Sequence, residues 1–298
     1  MRFRVVHTTH YRYSTPVILC HNEAHLRPIT GARQRCEESA VTVSPTPALH
    51  HRRQDYFGNA VDYFRIQEMH DLLTVRAASI VDVSTGLPAP LLAASMAWET
   101  AALWLRRDPS EGTCAVREFV LDSPLIPTDA ALAAFALPSF PAGRPLLEAV
   151  HDLSRRIHEA LTYDRTSTTV ATPLHEVLAS RRGVCQDFAH FAIGCLRSIG
   201  VPARYVSGYV ESISPADRPQ VRGADASHAW FAVFERDAGW VDFDPTNDQV
   251  VGAQHITTAW GRDYSDVSPL KGVIFGGGNH VLEVAVDVAR MSDAPSEQ

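Results

Sequence analysis

The sequence predicts an α+β protein. An antiparallel β-sandwich is expected over residues 1–85, a connector with short helices over 86–142, and a second domain over 143–290 in which a helix packs on an antiparallel sheet. Three observations predict this. Short, partly alternating runs rich in Val, Thr, Tyr and Ile fill the first 85 residues. Helix-periodic apolar stripes begin after residue 143. Four β-patterned runs then follow before a polar tail, SDAPSEQ, which is expected to be disordered within 291–298.

In the first part, FRVVHTTHYRYS, SAVTVSPTP, AVDYFRIQEM and LLTVRAASIVDVS read as strands, separated by PITGAR, SPTPAL and YFGNAV. His7, His10, His21 and His25 lie there, but no pair sits at helical i, i+4 spacing beside a third ligand. They read as exposed or edge-strand histidines rather than a metal cluster. The Pro- and Ala-rich segments GLPAPLLAA and DSPLIPTDAAL mark the connector. In the second domain, Leu146, Leu147, Val150, Leu153, Ile157 and Leu161 form a helical stripe. TPLHEVLASRRG reads as a second helix, with Thr172 as N-cap, Pro173 at the first helical position and Gly183 closing it. A third helix opens at Cys185, carries Phe188, Ala192, Cys195, Leu196 and Ile199 on one face, and stops at Gly200 before Pro202. ARYVSGYV, HAWFAVFE, GWVDFDP and GNHVLEVAVDVAR then read as strands; HAWFAVFE, apolar on both faces, is the expected central one.

Bulk properties narrow the function. The chain has 298 residues, 45% apolar and 20% charged, enough for a sizeable core. A net charge of −7 argues against nucleic acid and anionic membranes as partners. The start, MRFRVVHTTHYRYS, has no apolar core of a signal peptide, and LPAPLLAASMAWETAALWL is interrupted by prolines and Glu99. The expected location is the cytoplasm. Cys20, Cys36, Cys114, Cys185 and Cys195 are odd in number, widely spaced and without a CxxC pair. They read as free thiols, not as a disulfide framework or a zinc knuckle.

The stretch RRGVCQDFAH concentrates the chemistry. A helix N-terminus carries about half a positive charge, which favours thiolate over thiol, and thiolate is the nucleophile. Cys185 stands at such a position; Cys195, mid-helix on the apolar stripe, reads as packing. His228 opens the central strand, and Asp244 closes the next. Adjacent antiparallel strands can bring those two together, so that an imidazole pairs with the sulfur and a carboxylate orients the imidazole. Asp242 shares a strand face with Asp244 by period two and is an alternative. Taken singly, each residue also has an ordinary structural reading: a buried Cys, a core His, an Asp before a turn.

The segments GVCQDFAH, GVPARYVSGY, HAW and GWVDFDPTN, in that order, closely resemble the transglutaminase-like superfamily. YRYSTPV, RPI, RQRC and DYFGN resemble the N-terminal β region of its bacterial branch, and GRDYSDVSPLKGVIFGGGNHVLEVAV resembles its C-terminal segment. The resemblance covers nearly the whole chain. It implies a papain-like, transglutaminase-like core in which Cys185 is the nucleophile, His228 the base and Asp244, rather than Asp242, the orienting carboxylate. A thiol acyl-transfer enzyme acting on peptide, amide or isopeptide bonds of a peptide or protein substrate is therefore expected.

Other assignments rest on less. The Cys185 N–H is a natural oxyanion donor. Tyr163 is a candidate for the second donor or a substrate contact, and Gln186 is a further substrate-side candidate. Asp187 suits the helix dipole but would oppose thiolate formation, so it is expected to point away from the sulfur. His190 reads as a packing group. GRDYSDV is either a loop held by its own hydrogen bonds or a cleft wall in which Asp263, Tyr264 or Asp266 contacts substrate. Gly276–Gly278 reads as a turn, not a phosphate loop. No acidic loop has calcium-site ligand density, and no cofactor or metal is expected. Hydrolysis is favoured over transamidation, because no amine site is readable. Two alternatives stand beside the enzyme reading: a non-catalytic peptide-binding module on the same fold, and a metallohydrolase with Cys185, His228 and Asp244 or Asp242 as ligands.

Overall fold

A computed structural model describes residues 1–84, 90–211 and 227–291. The tail expected to be disordered lies, from 292 onward, outside the described residues. The first part is built on one long strand, β1 (Arg2–Ala24), joined by β2 (Gln34–Ser44), β3 (Leu49–Gln54), β4 (Ala60–Ile66) and β5 (His70–Val83) in the order β2-β5-β1-β4-β3. Buried residues alternate along β1: Phe3, Val5, His7 and Thr9 face inward. The strand changes partners midway. Its β5 pairing runs from Arg2 to Arg12 and then slips before Val17, while β4 pairs with Cys20–Ala24. Pro16, which has no N–H to donate, sits in that gap.

The connector folds as α1 (Pro90–Ala93), α2 (Trp98–Arg107), α3 (Glu111–Arg117) and α4 (Ala130–Ala136). Leu92, Ile126, Leu132, Ala136 and Phe140 from this region are buried in the same core as the helices that follow. Those are α5 (Leu146–Ala160), the short strand β6 (Thr162–Tyr163), α6 (Leu174–Ser180), the short strand β7 (Arg182–Gly183) and α7 (Cys185–Ser198). The end of α6 differs in detail from expectation: Arg181, at φ 53, closes the helix rather than Gly183. Pro173 occupies the cap position one residue before the helix. Helix α7 stops as expected, with Gly200 at φ +82 before Pro202.

The second sheet contains β8 (Ala203–Val210), β9 (His228–Glu235), β10 (Gly239–Asp244), β11 (Gln249–Val250) and β12 (His255–Gly261), in the antiparallel order β11-β10-β9-β8-β12. Strand β9 is central, as its two-sided apolar pattern predicts. Phe188, Ala192, Cys195 and Leu196 of α7 and Val150, Leu153 and Ile157 of α5 are buried with Tyr205, Phe231, Val233, Val241 and Phe243 of the sheet. Each such large side chain removed from water contributes roughly 1.5–3 kcal/mol. No helix among the described residues is long and apolar enough to cross a membrane.

After a one-turn helix, α8 (Tyr264–Val267), the chain ends in β13 (Leu270–Gly276) and β14 (His280–Arg290), joined by the turn at Gly276–Gly278, all three at positive φ. The sequence reading grouped these residues with the 143–290 domain. In the structure both strands pair with β1: β13 with Val17–Ala24 and β14 with Phe3–Tyr13. The first sheet therefore has seven strands joined through β1, not two separately hydrogen-bonded layers. The pairing places Val286 and Val288 beside Phe3, Val5, Val81 and Val83. These six pack against Tyr209 and Ile256 of the second sheet in one buried cluster. That cluster buries Val286 and Val288, the only two fully buried residues of β14.

Candidate active site

Helix α7 begins where it does because of Asp187. Its carboxylate accepts the Val184 N–H at 2.7 Å and the Thr168 hydroxyl at 2.6 Å, fixing the first turn. Burial pushes the Asp187 carboxyl up, against those two hydrogen bonds. The carboxylate is thus engaged behind the helix start. A Cβ at Gly183 would stand 2.6 Å from the Asp187 Cβ, so this approach requires glycine. Cys185 follows as the first helical residue, partly buried against the main core.

His228 opens β9 and Asp244 closes β10, and the antiparallel ladder brings their side chains together. His228 Nε2 lies 2.7 Å from Asp244 Oδ2. The nitrogen left to face Cys185 is Nδ1, and the Cys185 side chain is near enough to act on the imidazole. Burial alone would lower the pKa of His228. The hydrogen bond it donates to Asp244 and the charges of Asp244 and Cys185 outweigh it and raise the pKa from 6.5 to about 10. Asp244 is fully buried, and burial alone would raise its pKa. Hydrogen bonds from His228, His255 and Asn247 hold it well below the usual carboxylate range.

Two residues without a sequence assignment complete this cluster. Asn247 Nδ2 donates to Asp244 Oδ2 at 2.6 Å, while the Thr246 and Asn247 N–H groups reach Oδ1 at 3.0 and 3.3 Å. His255 Nε2 lies 3.1 Å from the same Oδ2. His255 is 1% exposed, and its Nδ1 has no partner among the described residues. The DPTN segment carried a readable signal for Asn247, an Asx-type turn after Asp244. His255 lies in HITTAWG, a β-branched run that is legible as a strand but carries no motif.

Trp230 walls the pair. Its indole is 6.0 Å from the His228 ring and edge-on to His255 at 5.2 Å, and its Nε1 donates to Asp242 Oδ1 at 3.1 Å. Asp242 is thereby used structurally, and Asp244 is the carboxylate brought to His228. Gly208 lies across the ladder from His228, and a Cβ there would come within 2.6 Å of the Trp230 ring.

The remaining candidates separate. Tyr163 is 45% exposed, pairs with Gly183, two residues before Cys185, and lies 6.5 Å from the Phe188 ring. Burial pushes the phenols of Tyr264 and Tyr205 up, and the two rings stand edge-on at 6.3 Å. Gln186 is buried and donates to the Val170 carbonyl at 3.2 Å. Asp263, offered as a substrate contact, is fully buried. Its oxygens accept from the Leu125 N–H at 2.8 Å and from Ser265 at 2.9 and 2.6 Å. Those bonds hold the loop and leave the carboxylate no face toward a ligand. Asp266 pairs with Arg262 at 2.9 Å. His190 accepts the Tyr264 N–H at 3.1 Å, and burial lowers its pKa to about 4, leaving it neutral. Burial pushes the Cys195 thiol far up, in keeping with a packing role.

His228, Asp244 and His255 present ligand atoms within 4.8 Å of one another, close enough to hold a metal ion. Their 2.7 and 3.1 Å spacings are those of hydrogen bonds. The geometry needs no metal to hold these groups together.

Residues 3–82 match the family described as bacterial transglutaminase-like N-terminal region, and residues 139–245 match the transglutaminase-like superfamily. An uncharacterised protein of Mycobacterium tuberculosis is 43% identical over 297 residues, covering 96% of this chain and 92% of its own. One from Mycobacterium leprae is 34% identical over 294 residues, covering 98% and 99%. A crystal structure of a candidate cysteine protease from Cytophaga hutchinsonii superposes over 99% of this chain and 92% of its own, with a TM-score of 0.74 at 19% identity. That similarity shows a shared fold.

Proposed function

From a chain that belongs to the transglutaminase-like superfamily, with its bacterial N-terminal region, we propose a thiol acyl-transfer enzyme acting on amide bonds of a peptide or protein. The observation that carries the reading is His228 beside Cys185 and hydrogen-bonded to a buried Asp244 that takes five hydrogen bonds in all. The Cys185 thiolate attacks the carbonyl carbon, and the developing oxyanion meets the Cys185 N–H, which at the first helical position has no intrahelical acceptor. Protonated His228 gives its proton to the departing nitrogen as the C–N bond breaks, leaving a thioester. Water attacks the thioester, His228 takes its proton, and the C–S bond breaks to release the acid.

Hydrolysis is the favoured second half, with Tyr163 and Tyr264 as proposed walls of the substrate cleft. The proposed setting is the reducing cytoplasm, which suits five unpaired cysteines. Transamidation differs only in an amine replacing water. A generic acyl donor tests both. With p-nitrophenyl acetate, the wild type should show a nitrophenol burst and an acetyl adduct on Cys185 by mass spectrometry, both lost in Cys185→Ala. Added glycine methyl ester should leave acetate as the main product. An amide product predominating would favour transamidation, and no adduct would favour the non-catalytic peptide-binding module.

A further inference from the structure

On the face of the second sheet turned away from α7, Arg204 is wedged between two indoles. Its guanidinium carbon lies 4.3 Å from the ring centres of both Trp240 and Trp260. A guanidinium so placed is held flat and stripped of much of its water. The Arg204 side chain makes no hydrogen bond or ion pair among the described residues, and its Nε is buried without an acceptor. Asp242 acts on Arg204 through its charge but forms no ion pair with it: its Oδ1 accepts the Trp230 indole N–H and its Oδ2 lies 4.0 Å from Arg33.

Arg204, Trp240 and Trp260 line a cavity of about 360 Å³ together with Phe57, Phe119 and Ala115. Its walls come from three separate segments: the turn between β3 and β4, the end of α3 and the second sheet. The turn is fastened to the sheet. Asn59 exchanges hydrogen bonds with the Trp260 backbone at 2.8 and 2.9 Å, and the Trp260 indole donates to the Phe57 carbonyl at 3.1 Å. Glu118 also lines the cavity, its carboxylate accepting the Tyr56 hydroxyl at 3.0 Å. A preformed, mostly aromatic cavity at the junction of two sheets, with one unpaired cation inside, has the features of a small-ligand site.

We propose that this cavity binds a small carboxylate carrying an aromatic or branched apolar body, its carboxylate on Arg204 and its body against Trp240, Trp260, Phe57 and Phe119. The carboxylate pairs with the planar guanidinium through two N–H groups, and the body replaces water on the aromatic walls. Free acids and peptide C-termini share this chemistry. The inference is independent of any reaction at Cys185.

Calorimetric titration of the full chain tests it, using phenylacetate, the neutral phenylacetamide, and N-acetyl-glycyl-phenylalanine as acid. Phenylacetate or the dipeptide acid should saturate with a Kd of about 1 mM or tighter, and phenylacetamide at least about tenfold more weakly. Saturation by the dipeptide acid alone would assign the site to a peptide C-terminus. Arg204→Met should weaken binding about tenfold or more. Ala115→Phe, at an exposed lining position, should do the same without lowering Tm, and serves even if Arg204→Met fails to fold. No saturation by either acid up to about 20 mM, equal binding of the amide, or unchanged affinity in Ala115→Phe would overturn the proposal.

Discussion

Nε2 of His255 lies 3.1 Å from Oδ2 of Asp244, the oxygen that Nε2 of His228 reaches at 2.7 Å. Two imidazoles therefore share one buried carboxylate oxygen, and only one of them faces Cys185. Under the proposed function His255 is a positioning residue: it restrains the carboxylate hydrogen-bonded to His228. A hydrogen bond to a charged group is worth roughly 1.5–3 kcal/mol. His255→Leu is expected to slow alkylation of Cys185 at pH 7 by about tenfold, equivalent to about 1.4 kcal/mol. His255→Gln, which can still donate, should recover part of the loss. A purely structural role would lower Tm in His255→Leu while leaving the alkylation rate of the folded protein unchanged.

Stability should decline on both sides of neutrality. The folded pKa of His228, about 10, lies above its unfolded value of 6.5. Its contribution is therefore complete below pH 6.5 and is lost as pH rises toward 10. His7 and His190 show the opposite sign, both lowered to about 4 by burial. Their contribution is present above pH 6.5 and is lost as pH falls from 6.5 toward 4. Urea midpoints between pH 4 and 10 should trace a maximum near neutrality. His228→Gln should flatten the alkaline side and His190→Gln should reduce the acid decline; an alkaline side unchanged in His228→Gln would refute the assignment.

Gly208 should be irreplaceable. A Cβ there would stand 2.1 Å from the Ile256 carbonyl oxygen and 2.6 Å from the Trp230 ring. Both obstacles are rigid, one backbone and one fully buried indole. Gly208→Ala is expected to cost about 3 kcal/mol by overpacking. Because Trp230 walls His228, it should also slow Cys185 alkylation in whatever protein remains folded. A midpoint in urea within experimental error of wild type would contradict the packing account.

Much of the site was legible because its signals are local. Gly200 and Pro202 mark the end of α7, Asp187 its first turn, and β8, β9 and β10 fall on the runs ARYVSGYV, HAWFAVFE and GWVDFD. Strand pairing is not local. The alternation in HVLEVAVDV announces a strand but not its partner, and β14 pairs with a strand at the other end of the chain. His255 is not legible in the sequence for the same reason: only the β8–β12 pairing carries it to Asp244. In GRDYSDV, a short acidic loop looks the same in sequence whether its carboxylates face a ligand or cap a turn. The structure shows Asp263 capping α8.

The most direct measurement of the central claim is the rate of iodoacetamide modification of Cys185 at pH 7, resolved by mass spectrometry. The exposed Cys114 serves as internal reference, and wild type is compared with His228→Ala. Cys185 should react at least about tenfold faster than Cys114, and that advantage should vanish in His228→Ala. A Cys185 that reacts no faster than Cys114, at a rate indifferent to His228, would contradict the thiolate–imidazolium pair and with it the catalytic reading.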